Sequence, residues 1–205
     1  LDPHSGFAWE SALTPQRDYY IRGFYMAKTE VTIGQMRACI DRGPCESWDA
    51  GTDRSQRVSW ADRLQEGESY AVRGVPYQVM TAYAEWVGGR LPSELEWEFA
   101  ARSRGVNEDF PWGAELQPIE ETSCLANTHA CGLDDPSLPC SYFFDRTNQG
   151  LCDMVGNLFE MTQSEWRVGY DHYDHLGQTS VSQGGSRVAK GLSYYQIKGG
   201  YQEDL

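Results

Sequence analysis

The sequence contains no Cys-x-x-Cys pair, which sets aside a zinc ribbon and a thioredoxin-type redox centre. It has no apolar run near the ~20 residues that a helix needs to cross a bilayer, so no membrane span is expected. Leu1 to Glu10 lack the basic-then-apolar pattern of a secretory signal, and a signal removed before Leu1 would leave the same record. Basic residues are scarce: 17 Lys and Arg stand against 30 Asp and Glu, a formal charge of -13. That excess repels phosphate backbones and argues against nucleic acid as a partner. Neither a Gly-rich phosphate loop after a strand nor a GxSxG elbow occurs. There are only four histidines, two of them in Asp171-His172-Tyr173-Asp174-His175. Neighbours on an extended loop point different ways, so that segment reads as solvated loop rather than as a transition-metal cage.

What is present fits one well-buried core in 205 residues, with 21 Gly, 7 Trp and 12 Tyr suggesting tight turns around an aromatic-rich interior. The six cysteines are Cys39, Cys45, Cys124, Cys131, Cys140 and Cys152. An even count in short loops predicts disulfides and an oxidising compartment. The alternative is six buried thiols in a cytosolic protein. Local pairing would give Cys39–Cys45, Cys124–Cys131 and Cys140–Cys152, though sequence alone leaves other pairings open.

Tyr19–Ile21 and Phe24–Met26 read as short strands. Thr32 is a good N-cap for a helix through Ile33, Met36 and Ile40, closed by Gly43-Pro44. Residues 47–67 are polar and aperiodic and read as a surface insertion anchored by Val58-Ser59-Trp60. Tyr77–Val87 has apolar residues at helical spacing and ends at Gly88-Gly89. Ser93 and Glu96 form a capping box for a helix to about Arg102, which assigns Glu94, Glu96 and Glu98 to capping and surface charge rather than catalysis. Pro111-Trp112-Gly113 reads as a turn carrying a buried ring. Residues 123–148 have almost no periodicity, and a loop that long is pinned by metal or disulfide, or is functional.

Several segments, in order, resemble one family. They are Phe24 to Thr32 (FYMAKTEVT), Val75 to Trp86 (VPYQVMTAYAEW), Gly88 to Arg102 (GGRLPSELEWEFAAR), Pro111-Trp112-Gly113, Ala126-Asn127, Gly150 to Met161 (GLCDMVGNLFEM) and Arg187 to Ser193 (RVAKGLS). The series is similar to the formylglycine-generating enzyme, or sulfatase-modifying factor, family, and the cysteine placement is most like bacterial secreted members. The resemblance implies an α+β, C-type-lectin-related fold over residues 1–205 as a single domain, with few helices, short twisted strands and long structured loops. Three departures stand out: Gly191-Leu192-Ser193 replaces Gly-Gly-Ser, Phe159 replaces a tryptophan, and the family's closing strands are not recognisable before Leu205.

Enzymes of this family hold copper through two cysteines after the Gly-Gly-Ser element. Counted from Ser193, those positions are Gln196 and Tyr201, neither of which can act as a soft thiolate. Copper is therefore not expected and no catalytic residue is assigned. The resemblance also implies a structural Ca2+ bound by the Asp153 and Glu160 carboxylates and the Gly156 and Leu158 carbonyls, all hard oxygen donors. Asn127 and the Thr128 carbonyl match part of a second site, whose carboxylate would be Asp134 or Asp135. The expected function is a non-catalytic binding or scaffolding module that takes a protein or a small ligand through its long loops. The alternatives are a copper-dependent oxidase making formylglycine from a substrate cysteine, and a partner protein cleaved or completed by another. Paired cysteines would place the protein outside the cytoplasm, and free ones inside.

Overall fold

A computed structural model describes residues 18–49, 59–104, 110–112, 125–128, 135–167 and 185–194. The element order is α1 (Ile33–Arg42), α2 (Trp60–Arg63), α3 (Tyr77–Trp86), α4 (Glu94–Ala101), β1 (Glu160–Glu165) and β2 (Arg187–Lys190).

Three helices begin with capping boxes. Thr32 with Gln35, Ser59 with Asp62 and Ser93 with Glu96 each exchange side-chain and backbone bonds, satisfying two amides that a helix start leaves free. Two further amides of α1 are met from outside the helix. Ile33 donates to the Tyr70 carbonyl and Gly34 to the Glu68 carbonyl, each at 2.9 Å. The segment 68–72 thus runs against the start of α1, with Thr32 and Ala71 forming an antiparallel bridge. Pro76 precedes α3, which stops before Gly88, a residue at φ +82° where a side chain would be strained.

The main core collects Ile33, Met36 and Cys39 of α1, Val75 and Val79 at α3, and the indoles of Trp48 and Trp60. The two indole rings lie 5.2 Å apart. A disulfide joins Cys39 to Cys45 behind α1. Trp48 and Trp60, both from the polar stretch 47–67, are buried, and α2, absent from the sequence reading, is the single turn that seats the second.

The other half is α4 packed on an antiparallel β1–β2 pair, in which Glu160 lies opposite Lys190. Ser164 Oγ of β1 accepts from the Glu94 amide at 3.0 Å, and the Gln163 amide donates to the Pro92 carbonyl at 2.8 Å. Lys190 Nζ stands 3.4 Å from Glu94 Oε1 and 3.6 Å from Glu98 Oε2, so these two glutamates tie α4 to β2, while Glu96 does the capping. Tyr19–Ile21 and Phe24–Met26 do not form the strands expected. No described strand lies beside them, so their pattern has no ladder to join, and Tyr20 and Tyr25 are exposed.

Candidate functional site

The turn between Cys152 and β1 is tied to several distant segments. The Cys152 amide donates to the Lys28 carbonyl at 2.9 Å, and the disulfide to Cys140 draws residues 140–152 into a closed loop. Asn157 is the hub. Its amide donates to the Asn127 carbonyl at 2.7 Å, and its carbonyl accepts from the Tyr194 amide at 3.0 Å. Its side-chain oxygen accepts from Asn127 Nδ2 at 3.1 Å and from the Ser137 amide at 2.8 Å. Its side-chain nitrogen donates to Glu30 Oε2 at 2.6 Å. The second oxygen of Glu30 accepts from the Leu158 amide at 3.0 Å.

Gly156 is required here by space as well as by conformation, and Gly191 by its conformation. A Cβ on Gly156, at φ +89°, would lie 2.4 Å from the Asn127 carbonyl oxygen. A Cβ on Gly191, at φ +80°, would lie 2.6 Å from Glu160 Oε2. Gly191 is the half of the altered Gly-Leu-Ser element that Glu160 Oε2 approaches, and Leu192 beside it is half-buried.

Four carboxylates share this region: Glu30, Asp145, Asp153 and Glu160. Asp153 is fully buried, and its Oδ2 accepts from the Cys140 amide at 2.6 Å. Asp145 is also fully buried; its Oδ2 accepts from the Val155 amide at 3.4 Å while its Oδ1 has no partner. Glu160 Oε2 is enclosed and likewise unpartnered. Burial, reinforced by the charge of Asp153, pushes Glu30 and Asp145 up to about 8. Burial and the fields of Glu30, Asp145 and Asp153, in that order, hold Glu160 well above the usual carboxylate range. Buried anions with free oxygens are costly unless a cation or hydrogen-bond donors meet them.

The residues expected to bind Ca2+, Asp153, Gly156, Leu158 and Glu160, lie along one turn that leads into β1. Among the described residues no three His, Cys, Asp or Glu side chains meet closely enough to cage a metal by themselves. The expected set draws half of its oxygens from backbone carbonyls, and the enclosed, unpartnered Glu160 oxygen fits a hard cation. Asn127 presents a similar picture. Its Nδ2 bonds the Asp135 carbonyl and Asn157, which leaves its buried Oδ1 without a partner, as a ligand oxygen would be. Thr128 follows directly, its amide bonded to the Ala126 carbonyl at 3.0 Å. Asp135 is exposed, and Asp134 lies outside the described residues.

Gln196 and Tyr201, the counterparts of the family's thiols, also lie outside the described residues, as do Gly113, Cys124, Cys131 and the segment 171–175. All four described cysteines are in disulfides, Cys39–Cys45 and Cys140–Cys152, as local pairing predicted. Trp112 sits in the expected turn, half-buried and stacked on Phe110 at 5.2 Å. Phe159, in place of the tryptophan, is exposed. Sequence reading missed Glu30 and Asp145, although Glu30 belongs to the Glu-Val-Thr segment that carried the resemblance.

Residues 4–203 match the sulfatase-modifying factor enzyme 1-like domain family. The chain is 32% identical over 134 residues to a formylglycine-generating enzyme of Mus musculus, an overlap of 62% of this chain and 36% of that protein. It is 34% identical over 109 residues to an inactive C-alpha-formylglycine-generating enzyme 2 of Bos taurus, covering 51% of this chain and 36% of that one. The chain therefore spans little more than a third of the length of these relatives. Among solved structures, PvdO from Pseudomonas aeruginosa superposes with a TM-score of 0.63 over 82% of this chain and 67% of its own, at 22% identity, a likeness of fold.

Proposed function

We propose that this chain, which belongs to the sulfatase-modifying factor enzyme 1-like family, is a non-catalytic recognition module on a lectin-related fold, braced by a structural Ca2+. The observation that carries the reading is the pair Gln196 and Tyr201 at the positions where the resemblance places thiolates. An amide and a phenol do not supply the soft anionic sulfur that Cu(I) chemistry needs. The relatives include a protein named as inactive, so loss of activity on this fold has company.

The cation would rest on the Asp153 and Glu160 carboxylates and the Gly156 and Leu158 carbonyls. It would neutralise charge that the fold buries and fix the turn from which β1 departs. Asn127 and the Thr128 carbonyl would contribute to a second ion. The long loops around this turn would then present a rigid surface to a protein or small ligand. Paired cysteines support an oxidising, extracytoplasmic setting.

A second reading is favoured by the identity to the mouse enzyme: a copper-dependent oxidase acting on a substrate cysteine. One assay separates the two. A cysteine peptide of the sulfatase type is incubated with the protein, copper, a reductant and oxygen, then weighed by mass spectrometry. The peptide is expected to return unchanged. Conversion of its cysteine to an aldehyde above a no-protein control overturns the non-catalytic reading.

A further inference from the structure

We propose that Arg63 and Arg73 form an anion site beside Tyr194 that takes a single carboxylate from a peptide or small ligand. The inference rests on the recognition reading above and deepens it by naming the chemistry of the ligand.

Arg63 belongs to α2, the single turn whose Trp60 is buried in the main core. Arg73 follows Val72, whose amide donates to the Val31 carbonyl at 2.9 Å. Both guanidiniums turn to one carboxylate oxygen. Arg63 Nη1 donates to Glu66 Oε1, and Arg73 Nη2 donates to the same oxygen at 3.1 Å. Arg73 Nη1 donates to the Tyr194 hydroxyl, and its Cζ lies 5.6 Å from the centre of the Tyr194 ring. The Tyr194 amide donates to the Asn157 carbonyl at 3.0 Å, so the Asn157 hub fixes the residue on which Arg73 rests.

Charge and donors are both in excess here. Two permanently protonated guanidiniums share one carboxylate, which leaves one positive charge unmatched. Asp62, next to Arg63 in the chain, is exposed and spends its carboxylate on the Ser59 cap of α2. Arg63 is 3% exposed. The Nε atoms of Arg63 and Arg73 are both enclosed and have no partner among the described residues. A buried cation short of partners is costly, and an anion relieves that cost. The side chains of Arg73 and Glu66 are 25% and 26% exposed, which opens the cluster to a ligand from that side.

The charge of the ligand follows from the balance. One carboxylate brings the cluster to neutrality, and its two oxygens match the fork of a guanidinium. A phosphate dianion or a polyanion would overshoot and would approach against the field of a chain at -13. Glu66 already holds one side of both arginines, so its charge competes with the ligand and sets the affinity.

The test uses the whole disulfide-intact chain, with sodium acetate as the probe and the Arg63 and Arg73 Nε–H signals in nitrogen-edited NMR as the readout. Acetate should shift both signals saturably, whereas sodium chloride at equal ionic strength should not. Arg73→Gln should remove the acetate shift of Arg63. Glu66→Gln keeps an oxygen for the arginines but withdraws the competing charge. It should tighten acetate binding about tenfold, the worth of one charge-assisted bond. A purely structural ion pair would lose stability in both variants and gain affinity in neither, which overturns the inference. Peptides with a free C-terminus, or amidated with one internal Glu, tell which source of carboxylate the site takes. A peptide with neither should leave the signals unmoved. No saturable shift with acetate, a response equal to that of chloride, or tighter binding of inorganic phosphate also overturns the inference. Those outcomes leave the non-catalytic reading standing, since the cysteine-peptide assay scores it separately.

Discussion

Removing calcium should lower the melting temperature of this protein by an amount that can be worked out beforehand. An ion that binds only the folded chain stabilises it by mass action, about 2.7 kcal/mol at a hundredfold excess over the dissociation constant. For a chain of 205 residues, 1 kcal/mol moves the midpoint by roughly 2–4 °C. Differential scanning calorimetry in excess Ca2+ and in chelator should therefore differ by about 5–11 °C. Glu160→Ala should abolish the difference, because it removes the enclosed oxygen that has no other partner. The same substitution should cost little in chelator, where that buried carboxylate is a burden rather than a ligand. Superimposable melting curves with and without chelator, together with elemental analysis that finds no metal, would refute the reasoning.

In chelator, stability should fall as pH rises from about 6 to 8.5. Glu30 and Asp145 are raised to about 8 from ordinary values of 4.5 and 3.8, so the stability they contribute is fully present below about pH 4 and is lost as pH climbs through 8. Glu96 is held below its ordinary 4.5 and acts only at lower pH, outside this window. A metal-free melting temperature that is flat or rising over that range contradicts the assignment. Reduction should weaken Ca2+ binding, because Cys152 adjoins Asp153 and the Cys140 amide holds the Asp153 carboxylate. Calorimetry on Cys140→Ser/Cys152→Ser checks this, and undiminished affinity counts against it.

Much of the helical frame was legible because it obeys local rules. Thr32 and Ser93 announce their helices by capping boxes that span three residues, and Gly88 ends α3. The single turn α2 is too short for a periodic signal, yet Ser59 with Asp62 carries the same box and could have revealed it. The expected calcium turn was legible as a contiguous motif. Its two unexpected carboxylates were not. Glu30 reaches Asn157 across 127 positions, and no spacing rule connects residues so far apart. Asp145 lies in an aperiodic loop and comes to the 153–155 segment through a disulfide, a bridge between Arg146 and Cys152, and backbone bonds that fold the loop back.

The distribution of left-handed backbone sharpens the separation between the Asn157 hub and the positions that oxidase chemistry would need. Five described residues other than glycine have positive φ, and three of them, Cys140, Asp153 and Asn157, lie at this site. Left-handed backbone is unfavourable for residues with a Cβ and persists where surrounding contacts over-determine it. Asp and Asn tolerate it best, which suits Asp153 and Asn157, both buried with their side chains bonded inward. Every bond of the Asn157 hub comes from Glu30, Asn127, Ser137 or Tyr194, and none needs a thiol. The thiol positions lie further along the chain, at Gln196 and Tyr201. The bonds of the hub do not depend on sulfur at those positions, so the frame is compatible with the proposed non-catalytic reading. Asn157→Ala, by contrast, strips side-chain bonds that reach Glu30, Asn127 and Ser137 at once. It should therefore destabilise the protein by more than the ~1–3 kcal/mol of a single unsatisfied buried group.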